Sequence, residues 1–251
     1  MLLEGKNAVV YGGGGAIGGA VAEAFAREGA RVFVAGRTPG PLAAVAERVR
    51  AAGGAAETAE LDALDEAAVG AFADRVAADA GSLDVSFNAI SVGDVQGTPL
   101  VEMSPADYTR PIDVAVRSTF VTARAAARHM IRQGGGVLLF FGGDADPIRD
   151  YSIGGFQVAL AAVEAMRRQL SAELGKHGVR AVTLRTGGVP ESIPADMAGA
   201  AEITAGLTAS TLLGRTATLA DVGNVAAFVA SDRARTMTAA TVNVSCGALV
   251  D

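Results

Sequence analysis

Val9–Val10–Tyr11–Gly12–Gly13–Gly14–Gly15–Ala16–Ile17–Gly18 is the stretch on which the reading of this chain turns. The apolar run from Asn7 to Tyr11 suits a buried strand. Four glycines follow. From Ile17 the apolar residues recur at helical spacing, at Ile17, Ala20, Val21, Ala24 and Phe25. Gly13, Gly15 and Gly18 therefore form G-x-G-x-x-G between a strand and a helix, the context in which that pattern carries meaning. Glycine lets the backbone approach a pyrophosphate, and a helix N-terminus offers free N–H groups and a partial positive charge. Without a ligand the same run is a glycine-rich turn; its flanking strand and helix favour a dinucleotide.

Outward from this turn, short β-branched runs alternate with alanine-rich helical stretches. Strands are predicted at 31–35, 55–61, 83–88, 137–141, 179–184 and 240–244. Helices are predicted at 41–52, 65–79, 104–133, 155–175 and 219–231. Gly29 should end the first helix, Asp65 should cap the third, and Pro111 should interrupt or kink the long one. Strands alternating with helices mean parallel pairing with right-handed crossovers. The expected architecture is α/β, a single Rossmann-type doubly wound domain over 1–251, with no linker and no repeat. The stretch 187–214 lacks a strong period but holds Ile193, Met197 and Ile203, which suits a substrate-covering loop or short helices.

Composition narrows the function classes. Half of the 251 residues are hydrophobic and 19% are charged, as in an ordered chain. The net charge of −6 argues against nucleic acid as a partner, since phosphate binding needs a basic face. One cysteine, Cys246, cannot form an internal disulfide and fits a reducing cytoplasm. With only His129 and His177 besides, a histidine- or thiolate-based metal site is not expected. Glu4 and Lys6 stand where a signal peptide would be apolar, and the strongly apolar run near 137–141 is too short to cross a membrane. Both histidines fall at helix C-termini, where a cation is favourable without a catalytic role.

The end of the second strand reads Ala35–Gly36–Arg37–Thr38. An acid there would bind the 2′-hydroxyl of NAD, and none is present. Arg37 suits a 2′-phosphate, which makes NADP(H) the expected cofactor; a solvated surface arginine is the plain alternative.

At this point the chain resembles a short-chain dehydrogenase/reductase over nearly its whole length. The family's Thr-Gly-x-x-x-Gly-x-Gly is here Tyr11, Gly12, three glycines, Ala16, Ile17 and Gly18. Asp62 matches its adenine-contacting aspartate. Asn88 alone survives from its Asn-Asn-Ala-Gly region. Leu213–Gly214–Arg215 and Asn243–Val244–Ser245–Cys246–Gly247 resemble its C-terminal landmarks. The resemblance implies a seven-stranded parallel sheet flanked by helices. Its cofactor positions fall on Gly12, Gly15, Ile17, Gly18, Asp62, Asn88, Gly187 and Val189, beside Arg37. It also implies a homodimer or homotetramer, to which the helical alanines Ala123, Ala126, Ala127, Ala159, Ala161 and Ala162 would lend close approach.

The chemistry end departs from the family, whose members interconvert carbonyls and alcohols with an Asn-Ser-Tyr-Lys set. The resemblance places those residues on Ala115, Gly143, Phe156 and Leu160, so all four are replaced. The Pro-Gly after the sixth strand becomes Thr186–Gly187. Phe156 and Leu160 make an apolar i, i+4 pair, whereas a lysine at 160 without its tyrosine would be a buried unpaired charge. The first expectation is an NADP(H)-binding protein without the usual carbonyl–alcohol chemistry: a sensor, partner subunit or scaffold. The alternative is an active NADPH-dependent oxidoreductase on a pre-activated substrate such as an iminium or conjugated enone, helped by Tyr151, Asp144 or water. A weaker third is a non-redox enzyme using an apolar cavity. The 142–151 loop, with Asp144, Asp146 and Asp150, reads more readily as an ordinary turn and lacks a calcium loop's glycine and glutamate. Arg185, ending the sixth strand, suits an anionic group or a structural ion pair equally.

Overall fold

Asn7–Tyr11 forms strand β1, every residue of it buried, because apolar side chains leave both faces. The computed structural model describes residues 1–143, 151–194, 197 and 199–250. Helix α1 (Ala16–Arg27) follows the glycine turn, and Gly29 leaves it at φ +94° as expected. Then come β2 (Arg31–Gly36), α2 (Pro39–Ala51), β3 (Ala55–Glu60), α3 (Glu66–Ala80) and β4 (Val85–Asn88). The second half comprises α4 (Pro105–Gln133), β5 (Gly136–Gly142), α5 (Phe156–Leu174), β6 (Val179–Arg185), α6 (Ala200–Ala209), α7 (Leu219–Ala230) and β7 (Ala240–Asn243).

The strands make one parallel sheet in the order β3-β2-β1-β4-β5-β6-β7. The order reverses between β1 and β4, which opens a crevice beyond their carboxyl ends. Alternate residues of β1 feed two cores. Ala8 and Val10 join Val21, Phe25 and Val222 on the α1/α2/α7 side. Val9 and Tyr11 join Phe72, Val121 and Met130 on the α3/α4/α5 side.

Local signals act as the sequence implies. Asp65 caps α3 by accepting from the N–H groups of Ala67 and Ala68, and Ser104 caps α4 by accepting from Asp107. β4 begins later than expected, since the Leu83 N–H and C=O are taken by the Gln133 side amide. Pro111 lies buried inside α4, which runs on without a break to Gln133. The 187–214 stretch holds a short 3-10 turn, Pro190–Ser192, and α6. Among the described residues no helix is long and apolar enough to cross a membrane.

Candidate functional site

The glycine turn is shaped by close packing. Gly12 has φ +72°, and a Cβ there would stand 2.5 Å from the Ala89 carbonyl oxygen. A Cβ on Gly13 would collide with Val34, and one on Gly18 with the Gly12 carbonyl. Gly15 differs: it is the N-cap of α1, and the nearest atom to its added Cβ would be the Gly12 oxygen at 3.3 Å. No side chain caps α1 and no acid lies in its first turn, so its leading N–H groups, those of Ile17 and Gly18 included, have no intrahelical acceptor. A cradle that only backbone can line, at a helix's positive end, fits a dinucleotide diphosphate.

The other expected cofactor residues ring the same edge. Arg37 follows β2, is exposed, and has no ion-pair partner among the described residues. Asp62 follows β3 with its Oδ1 accepting from the Leu64 N–H at 2.9 Å, a local turn. Asn88 ends β4 with both ends of its amide engaged: Nδ2 donates to Thr122 Oγ1 at 3.1 Å and Oδ1 accepts from the Ile90 N–H at 3.1 Å. Asn88 thus ties β4 to α4. A Cβ on Gly187 would be 2.6 Å from that of Ala248, so the chain's last residues pack over it. Val189 is buried in the α7-side core, which leaves only its backbone for a ligand.

At the opposite end of the crevice three elements converge. A Cβ on Gly143, just past β5, would touch Leu160 Cδ1 at 3.4 Å and lie 3.8 Å from the Thr186 carbonyl oxygen. Leu160 is buried one turn into α5, behind Phe156 at its start, and Ala115 is buried in α4. The structure therefore brings Gly143 and Leu160 together. Tyr151 is 45% exposed ahead of α5. Asp144, with Asp146 and Asp150, lies outside the described residues.

Two features here were not anticipated. One turn below Leu160, Glu164 Oε2 accepts from Arg167 Nε at 3.2 Å and Nη2 at 2.9 Å, and from Thr241 Oγ1 at 3.2 Å. Thr183 donates to its Oε1. Burial works to raise the Glu164 pKa, but these hydrogen bonds and the Arg167 charge outweigh it and hold the carboxyl below its usual range. The only signal in the sequence was a Glu and an Arg at i, i+3 on a helix. The second feature is Tyr11, whose hydroxyl is buried with no hydrogen-bond partner, edge-on to Phe72. Burial pushes its phenol far above the ordinary range, so Tyr11 stays protonated.

Comparison with known proteins bears on this arrangement. A family model described as "Enoyl-(Acyl carrier protein) reductase" matches residues 14–248. Galactitol 2-dehydrogenase of Rhizobium johnstonii is 32% identical over 251 residues, covering 98% of this chain and 95% of that protein. The chain belongs to the short-chain dehydrogenase/reductase family. Among solved family structures, one from Mycobacterium ulcerans superposes with a TM-score of 0.90 at 28% identity, covering 99% of this chain and 91% of that one. A short-chain dehydrogenase from Burkholderia cenocepacia in complex with NADP gives 0.87 at 27% identity, with 99% of each chain covered. The seven-stranded sheet is thus the fold of this family, and the glycine cradle lies where a doubly wound sheet binds its ligand.

Proposed function

We propose that this family member is an active NADP(H)-dependent oxidoreductase whose substrate is pre-activated, a conjugated enone or an iminium, in place of a simple ketone or secondary alcohol. The carrying observation is a contrast between the two ends of one crevice. The α1 cradle keeps its open donors, while Ala115, Gly143, Phe156 and Leu160 offer no side-chain proton or charge. The relatives are named as dehydrogenases and reductases, and the matching family model bears the name of an enoyl reductase. These favour an oxidoreductase over the sensor, partner subunit or scaffold that the four replacements alone would suggest.

A bound reduced nicotinamide supplies hydride. The chain's own residues bind and exclude water: the α1 N–H groups hold the diphosphate, Arg37 the 2′-phosphate, and Asp62 lies toward the adenine. Leu160 and Phe156 wall the nicotinamide end with apolar surface. An iminium that accepts hydride needs no proton from the protein. An enone that accepts it at the β-carbon takes one proton at the α-carbon, for which water suffices.

The test is a panel of ketones, enones and imines with NADPH, followed at the nicotinamide absorbance. Turnover confined to enones or imines is expected, because loss of a general acid alone removes about 10²–10⁴ in rate on a ketone. Brisk ketone reduction, or silence across the panel with NADPH still bound, would overturn the proposal; the second result would return the non-catalytic reading.

A further inference from the structure

Two helix N-termini open onto one cleft of about 420 Å³. Gly14, Gly15 and Ala16 bring that of α1 to its wall, Leu219 brings that of α7, and Glu191 stands with them. The two ends are unequal. The chain closes α7 itself: Thr218 Oγ1 accepts from the Asp221 N–H at 3.0 Å, and Asp221 Oδ2 accepts from the Thr218 N–H at 3.0 Å. Glu191 Oε2 completes the closure by accepting from the Leu219 N–H at 2.7 Å. Helix α1 has no such cap. One positive helix end is therefore neutralised by a resident carboxylate, and the other is left for an incoming anion.

Two arginines, Arg27 and Arg48, and a second carboxylate, Glu23, line the same cleft. Arg48 pairs with Glu23 at 2.7 Å, and Arg27 donates to Asn224 at 2.7 Å. Among the described residues Glu191 makes no ion pair with either arginine, and it is exposed on its 3-10 turn.

We infer that Glu191 sets the affinity of the dinucleotide site: its carboxylate opposes, across the cleft, the diphosphate placed at the α1 N-terminus. This rests on the dinucleotide reading above. Glu191 acts through the field on the ligand and has no part at the reacting atoms. It holds the cofactor loosely, so that exchange of oxidised for reduced nucleotide is fast. Salt weakens the opposition, because charges at an exposed cleft are screened.

The intact protein tests this by titration with NADPH. Glu191→Gln keeps an oxygen for the Leu219 N–H, so the α7 cap survives while the charge goes. At about 20 mM NaCl it should bind NADPH about threefold to tenfold more tightly than wild type, and Glu191→Lys more tightly still. At about 500 mM NaCl the gap should close, since the screening length has fallen to about 4 Å. Glu173→Gln removes the same charge at the far end of α5 and should bind as wild type does. A lost structural contact would weaken binding regardless of salt. Equal or weaker binding by Glu191→Gln at low salt, or a gap that salt leaves unchanged, would overturn the inference while leaving the dinucleotide reading in place. Failure of all four proteins to bind NADPH would overturn both.

Discussion

Glu164 and Arg167 lie one turn apart on the inner face of α5, and the guanidinium, only 3% exposed, donates to the carboxylate through two nitrogens. Through Thr183 and Thr241 the same carboxylate reaches β6 and β7, so a single ion pair fastens the helix that carries Phe156 and Leu160 to the sheet beneath it.

Arg167→Met should lower stability by about 2–4 kcal/mol, somewhat less than the loss of a fully buried partner, because Glu164 is 20% exposed. Urea unfolding followed by circular dichroism measures it. The Glu164 pKa is lower folded than unfolded, so its contribution is present above the unfolded value of about 4.3 and is lost as pH falls through the folded value. Glu164→Gln should therefore be less stable than wild type at neutral pH, with the difference shrinking in acid. An unchanged difference from pH 7 to pH 3 would show that the pair does not set this slope.

Arg37→Ala should weaken NADPH binding by roughly tenfold to a hundredfold, matching a charge-assisted contact of about 1.5–3 kcal/mol. NADH binding should hardly change. Calorimetric titration of both nucleotides distinguishes this from a surface arginine, which would leave both affinities alone.

Gly15→Ala and Gly18→Ala should separate ligand binding from folding. The Gly15 backbone is extended at φ −80°, and its added Cβ meets one backbone oxygen at 3.3 Å, a tight contact that a shift of a few tenths of an ångström relieves, so thermal stability should fall less than for Gly18→Ala. The Gly18 Cβ would collide with the Gly12 carbonyl, and the turn must shift. We expect a drop of several degrees in Tm for Gly18→Ala, in the usual range of a core overpacking of about 1–3 kcal/mol. Similar melting of the two variants would contradict this account of the turn.

The chain should assemble as a homodimer or homotetramer with closed symmetry. Of the small residues expected at such an interface, Ala123, Ala126, Ala127 and Ala159 are buried within the single chain. Ala161 and Ala162 remain nearer the surface, beside the outward-facing Phe120 of α4 and Val158 of α5, 45% and 40% exposed. Light scattering should give a mass of at least twice 25.1 kDa, reduced by Phe120→Asp. A single-chain mass at micromolar concentration would exclude it.

The frame was legible because its signals are local. Asn7–Tyr11 announces β1 by continuous apolarity, Asp65 and Ser104 announce helix starts by their side-chain oxygens, and Gly29 announces a helix end. The glycine cradle was legible for the same reason. What escaped depends on residues distant in sequence. Nothing near Glu164 announces Thr183 or Thr241, and nothing near Glu191 announces Leu219. Asn88 kept its identity in the motif, yet its amide serves Thr122, thirty-four residues away. α6 has no buried residue, so no apolar stripe marked it within 187–214.

Gly12, Gly13 and Gly18 are demanded by their neighbours within the chain: Ala89, Val34 and the turn itself leave no space for a methyl group. A lineage that abandoned its nucleotide would keep these three all the same, or lose the fold. The glycine signature is thus testimony about architecture. Testimony about the ligand falls to Gly15 and Arg37, on which the chain's own packing presses least, and drift at those two places would be the first trace of a descendant that no longer carries a nucleotide.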